Sequence, residues 1–160
     1  MKIIGIDPGL VQTGYGIVNI SNDQVHLIDY GIIRPNNKDV LAKRLYTIYA
    51  DVSEIILNHQ PQVIAIEEVF YGKNVKSAMR LGQARGAAMV AAASKEISIY
   101  EYSARKVKQS LTGNGNAHKS QVQFMVKQKL NIDKIPEPFD ASDALAIALC
   151  HDHQFRILDL

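Results

Sequence analysis

Three apolar runs, joined by links too short for a crossover, open the chain. Lys2 to Ile6 ends at Asp7 and the turn-forming Pro8-Gly9. Tyr15 to Ile20 follows Gly14 and stops at the turn signal Ser21-Asn22-Asp23. Val25 to Arg34 closes at Pro35-Asn36-Asn37. Parallel neighbours need a connection of about a dozen residues or more, so the three runs predict an antiparallel meander.

The period then changes. Leu41, Leu45, Ile48, Val52, Ile55 and Ile56 recur at helical spacing, with Asp39 as the expected N-cap and a stop before Pro61. A fourth strand follows in Val63 to Ile66. A second helix is expected from about Lys73 to Lys95, with a packing stripe of Val75, Met79, Gly82, Gly86, Met89 or Val90, and Ala93. Such small residues let backbones approach closely, either against the sheet or against a helix of another subunit. Ile97 to Glu101 reads as a fifth strand. Ala104 to Leu111, Lys119 to Leu130 and Ala141 to His151 read as further helices. A meander continued by α-β crossovers predicts an α/β chain: a five-stranded mixed sheet flanked by helices on both faces. At 160 residues, with no linker or repeat, one domain over 1–160 is expected.

Charge adds a partner class. The net charge is only +2, but residues 69–129 carry eleven lysines and arginines against two acids, a net of +9. The remainder carries seven against fourteen, a net of −7. A solvated face mixes signs, so sixty residues nearly free of acids point to a polyanion. The lone Cys150 cannot staple the fold, which suggests a reducing compartment. No stretch approaches the roughly 20 apolar residues of a membrane span, and the N-terminus does not read as a signal peptide. A cytoplasmic protein is expected.

The acids gather at element ends. Asp7 ends the first strand, Glu67 or Glu68 ends the fourth, and Asp140 and Asp143 open the last helix three residues apart, on one face. Each has an ordinary alternative: Asp7 as a turn residue, Asp140 and Asp143 as a capping pair, the glutamates as a solvated strand end. Taken together they fit a metal site better, because clustered carboxylates repel one another unless a cation lies between them. Hard oxygen donors without thiols or paired histidines suit Mg²⁺ or Mn²⁺. Two such ions are the apparatus of in-line phosphodiester hydrolysis, one activating water and one stabilising the leaving 3′ oxygen. Two other motifs are rejected. Gly113 to Ser120 resembles a P-loop, but His118 stands where a glycine is needed and no strand leads into it. His151 and His153 fall on divergent helix faces.

In order and spacing, "IGIDPGLVQTGYG", "IEEVF", "KNVKSAMRLGQARG", "YSARKVKQ", "HKSQVQ" and "DASDALAIA" resemble the RuvC family of Holliday-junction resolvases, from Ile3 to about His153. The resemblance implies a ribonuclease H-like fold and a homodimer. It implies Mg²⁺- or Mn²⁺-dependent symmetric nicking of four-way DNA junctions in recombination and repair, giving 5′-phosphate and 3′-hydroxyl ends. It also implies the RuvA–RuvB branch-migration complex as partner. Asp7, Glu67, Asp140 and Asp143 match the four metal-binding catalytic acids, although in some members a histidine takes the place of Asp140. Phe70 matches an aromatic beside the cleaved strand, and Lys108 and Lys119 match basic residues at the scissile phosphate. Lys119 is also counted with the catalytic residues. Lys73, Asn74, Lys76 and Arg80 join them as expected DNA contacts; Arg80 and Arg85 can equally serve solubility. The rivals are an actin-like ATPase, which needs a duplicated domain, a non-catalytic junction-binding module, and a ribonuclease H acting on RNA–DNA hybrids.

Overall fold

The computed structural model describes every residue except 70, 71, 73, 159 and 160. Strand β1 (Lys2–Asp7) pairs antiparallel with β2 (Thr13–Ser21), and β2 pairs antiparallel with β3 (Gln24–Ile33). This is the expected meander. Helix α1 (Leu41–His59) then crosses to β4 (Val63–Glu67), which lies parallel to β1. Helix α2 (Val75–Ala93) crosses to β5 (Ser98–Tyr102), parallel to β4. The spatial order is β3-β2-β1-β4-β5, so β1 and β4 form the centre of a five-stranded mixed sheet. Helices α3 (Ala104–Thr112), α4 (Lys119–Leu130) and α5 (Phe139–Leu158) complete the described chain.

Successive strand residues point to opposite faces, and the two cores follow that alternation. Ile4, Ile6, Ile64 and Ile66 pack against Ile48, Val52 and Ile56 of α1 and Ala84, Ala88, Ala91 and Ala92 of α2. Ile3, Val63 and Ala65 pack on the other face against α3, α4 and α5. Helices therefore cover both faces, as expected.

Helix α5 lies almost backbone to backbone on β1 and β2. A Cβ added at Gly5 would sit 1.9 Å from the Ala144 carbonyl oxygen. One at Gly14 would sit 2.0 Å from the Asp140 carbonyl oxygen, and one at Gly16 would sit 2.5 Å from Leu145 Cγ. Three strand glycines thus form a trough, and Ala141, Ala144 and Ala148 of the helix, all fully buried, fit into it.

Four expectations are corrected. The N-cap of α1 is Val40; Asp39 lies in a turn whose backbone N–H reaches the Asn36 carbonyl, and its side chain pairs with Lys43 at 3.1 Å. Helix α2 is capped by Asn74, whose side chain accepts from the Ser77 N–H at 3.1 Å, so the helix starts later than expected. Of the two readings of the α2 stripe, packing against the sheet is the one overturned, because the stripe mostly faces outward. Val75, Met79 and Val90 are 69%, 61% and 59% exposed, nothing lies within 4 Å of a Cβ built at Gly82 or Gly86, and only Met89 packs inward. The alanines on the opposite side meet the sheet, and the helical period alone does not say which of two small-residue faces is the inner one. Helix α5 runs seven residues past the expected end at His151, its last turns held by the Arg156–Asp152 pair at 2.8 Å.

The trough supplies a test. Gly5→Ala must displace α5, and overpacking of this kind costs about 1–3 kcal/mol. For a chain of this size that lowers the melting temperature by about 2–4 °C per kcal/mol, measurable by calorimetry. An Ala substitution at the open, exposed Gly82 stays neutral or gains slightly, because Gly is disfavoured within a helix.

Candidate active site

The register of the central pair settles the question of the two glutamates. Ile6 is paired with Ile66 in the parallel ladder, which sets Asp7 and Glu67 side by side at the C-terminal ends of β1 and β4. Asp7 follows Ile3 and Gly5 onto the α5 face, and Glu67 follows Val63 and Ala65 there. The Glu68 N–H continues the ladder by donating to the Tyr102 carbonyl at 3.0 Å. No bulge intervenes, and Glu68 turns away and is exposed.

The trough brings in the other two acids. Because α5 begins at Phe139, Asp140 and Asp143 lie in its first turns rather than at the cap, and they hang over the end of β1. One carboxylate oxygen from each of Asp7, Asp140 and Asp143 lies within 4.8 Å of the others. Glu67 joins through a side-chain hydrogen bond with Asp7.

Burial, with Glu67 and Asp143 beside it, pushes the Asp7 carboxyl from 3.8 up to about 8, and it keeps its proton to donate to Glu67. Burial also raises Glu67, while the bond from Asp7 and the charges of Lys119 and Lys108 pull it back. Burial raises Asp143, opposed by Lys119, whose Nζ lies 2.7 Å from its carboxylate. That hydrogen bond in turn raises Lys119. Four oxygen-only side chains, one of them with its pKa raised by burial and by its acidic neighbours, are the donor set of a hard divalent cation.

The basic residues divide. Lys119 opens α4, and its ammonium lies 5.7 Å from the centre of the exposed Phe139 ring. With Lys108, Glu67 and Asp143 it rims a cavity of about 200 Å³ whose wall is Ala104, Val107, Val122, Ala146 and Ile147. Lys76 and Arg80 are exposed on α2 and border a groove with Leu10 and Arg44, apart from the acids. Asn74 spends its side-chain oxygen on capping α2. Arg85 is bound inside the fold: its Nε donates to the Glu67 carbonyl at 3.1 Å and its guanidinium pairs with Glu101. Phe70 and Lys73 lie outside the described residues. The histidines turn to different partners, as their rejection as a metal pair requires. His151 Nδ1 meets the Tyr102 hydroxyl at 2.8 Å and His153 Nδ1 meets Ser110 at 3.0 Å.

Three residues at the site escaped the sequence reading. Gln12 donates through Nε2 to an Asp140 carboxylate oxygen, and Arg34 donates to Gln12 Oε1 at 2.9 Å. Phe139 stands exposed beside Asp140. Gln12 and Asp140 are 128 positions apart, and no local pattern joins them. Phe139 had a signal, an aromatic directly before an acidic helix start.

The family model of the crossover junction endodeoxyribonuclease RuvC matches residues 3–151. A protein of that name from Pseudoalteromonas atlantica is 52% identical over 94% of this chain and 86% of its own length. Another, from Natranaerobius thermophilus, is 45% identical over 98% of both chains. The solved structure of Thermus thermophilus RuvC in complex with Holliday junction substrate aligns with a TM-score of 0.93 and 34% identity, covering 98% of this chain and 96% of the other. The yeast mitochondrial Holliday junction resolvase Ydc2 shares the fold, with a TM-score of 0.64 at 13% identity. The sheet, its flanking helices and the carboxylate cluster together define a nuclease of ribonuclease H-like fold. Within that class the chain belongs to the RuvC family of crossover junction endodeoxyribonucleases, a family of metal-dependent nucleases.

The raised Asp7 sets a pH dependence. Between 3.8 and about 8 the folded chain holds a proton that the unfolded chain releases. Its contribution to stability is complete below about 4 and lost as pH rises through 8. Metal-free protein is therefore expected to melt at lower temperature at pH 8.5 than at pH 6. Adding Mn²⁺ restores more at pH 8.5, because binding must displace that proton. Asp7→Asn flattens the pH 6 to 8.5 difference in melting scans.

Proposed function

We propose that this chain, acting as one nuclease domain over residues 1–160, resolves four-way DNA junctions by nicking two strands of like polarity. The products are 5′-phosphate and 3′-hydroxyl ends. The observation that carries the reading is the convergence of four acids, from β1, β4 and α5, in a chain of the RuvC family. Asp7, Glu67, Asp140 and Asp143 would hold Mg²⁺ or Mn²⁺, two ions per site. Bound there, the ions supply an activated water and positive charge against the phosphate.

The chain's own residues do the rest. The ring of acids faces a rim of Lys108 and Lys119, so the scissile phosphate is drawn to that positively charged side of the site. Lys119 bridges the two regions: one hydrogen bond ties it to Asp143, and its remaining N–H groups face the phosphate. The rim keeps the backbone in line with the acids while the +9 segment, residues 69–129, binds the adjoining arms. Phe70, three residues beyond Glu67 in sequence, and Phe139 supply aromatic surface for a distorted base step. Lys73, Lys76 and Arg80 contact backbone phosphates.

The outward apolar face of α2, from Val75 to Val90, supports a homodimer, which would carry two such sites for paired nicking. RuvA–RuvB is the proposed partner. Among the described residues no helix is long and apolar enough to cross a membrane, and the proposed location is the cytoplasm.

Purified protein with Mg²⁺ is expected to cut a mobile synthetic four-way junction. Asp7→Asn and Glu67→Gln each abolish cutting, a loss of at least about a thousandfold because each removes a ligand of the ions that activate the attacking water, yet retain junction binding in gel shifts. A protein that leaves the junction intact in Mg²⁺ and Mn²⁺ but degrades an RNA–DNA hybrid overturns the reading. Val90→Glu, which sets a charge in the outward α2 face, shifts the protein toward monomer in sedimentation velocity.

A further inference from the structure

The hydrogen bonds behind Asp140 form a chain with a fixed direction. Arginine can only donate and a carboxylate can only accept, so the Gln12 amide between them has one orientation: Oε1 toward Arg34 and Nε2 toward Asp140. Sheet register places the first two members. Thr13 pairs with Ile33, so Gln12 and Arg34 lie one residue beyond the paired ends of β2 and β3. The loop before Gln12 is tied down as well. Thr13 Oγ1, in a fully buried side chain, donates to the Gly9 carbonyl at 2.8 Å and accepts from the Gly9 N–H at 3.2 Å. Arg44 donates to the Leu10 carbonyl at 2.7 Å. Little freedom is left for the position of the amide.

We propose that Gln12, oriented by Arg34, is a positioning residue for Asp140: it takes one carboxylate oxygen and leaves the other for the site shared with Asp7 and Asp143. The inference rests on the metal-site reading of the preceding subsection. Its physical content lies in the choice of a neutral donor. Lys119 sits directly on Asp143, and a cation there must be outcompeted by an incoming ion. At Asp140 the cation is one hydrogen bond further back. Arg34 polarises the amide and strengthens its bond to the carboxylate, but sets no cation on Asp140 itself. A carboxylate held this way cannot rotate freely, so less ordering remains to be done when an ion arrives.

The test uses Mn²⁺ alone as probe, with the free ion counted by electron paramagnetic resonance and no DNA present. Unsubstituted protein, Gln12→Met, Arg34→Met, the double variant and Asp7→Asn are compared, each with a melting scan in EDTA. Gln12→Met keeps the length of the side chain and removes both hydrogen bonds. It is expected to weaken Mn²⁺ binding about tenfold, the low end for partners that hold a metal ligand, and Arg34→Met less, about threefold, because it acts at one remove. The EDTA melting temperature should stay within about 2 °C of the parent for Gln12→Met, as for a surface substitution away from the core. In the double variant the loss equals that of Gln12→Met, since Arg34 acts only through the amide.

Mn²⁺ affinity in Gln12→Met within twofold of the parent overturns the proposal. So does a loss matched by a fall in the EDTA melting temperature, which marks a merely structural role. An additive loss in the double variant overturns the serial link. If the parent binds no more Mn²⁺ than Asp7→Asn, the metal reading itself falls and takes this inference with it.

Discussion

The contact between α5 and the β1–β2 ribbon is the constraint from which the site follows. An ordinary helix lies on a sheet at a distance set by its side chains. Here Gly5, Gly14 and Gly16 remove the strand side chains, and Ala141, Ala144 and Ala148 reduce those of the helix, so main chain rests near main chain. Asp140 and Asp143, in the first turns of the helix, are thereby lowered to the level of a carboxylate that ends a strand. With bulkier residues along the trough the fold could still close, but the two pairs of acids would stand apart. Dispersion forces in so tight a contact are collectively large and leave no slack for the helix to slide.

That geometry forces an electrostatic conflict which the metal-free protein relieves only in part. Asp7 retains a proton and Lys119 lies on Asp143, so two of the four acids are compensated by local means. Glu67 has the bond from Asp7, and Asp140 has the neutral Gln12 amide. A divalent ion held by the four acids would supply the positive charge that the Asp7 proton and Lys119 supply in its absence, and the neutral Gln12 amide would not compete with it. The site is thus assembled in a state of tolerable tension, and the folding energy of the two cores holds it there.

The element order, the meander, both crossovers and the four acids were legible because each rests on local chemistry. Apolar period, turn residues and an acid at a strand end are written within a few positions of one another. The choice between Glu67 and Glu68 was legible only in part, since alternation separates the two but only the ladder through Glu68 shows that no bulge exchanges them. The sequence left the small-residue stripe of α2 between the sheet and another subunit because Ala84, Ala88 and Ala91 look no more buried in sequence than Gly82 and Gly86. The N-cap of α1 was misplaced by one residue because Asn36 starts a turn that absorbs Asp39. Gln12 was invisible, because its partners come from the far end of a neighbouring strand and from a helix 128 positions away.

The alternation of β4 also decides where an error in that strand would be felt. Suppose one residue were lost between Val63 and Ile66. Glu68 would move into the place of Glu67, and the nuclease centre would still receive a glutamate. Glu67, however, would take the place of Ile66, which is fully enclosed among the α1 and α2 side chains. An unpaired charge there costs several kcal/mol. Fidelity of the glutamate beside Asp7 is therefore enforced from the opposite face of the sheet, by an apolar layer that takes no part in the carboxylate cluster. Two adjacent identical side chains are told apart by the penalty for burying the wrong one.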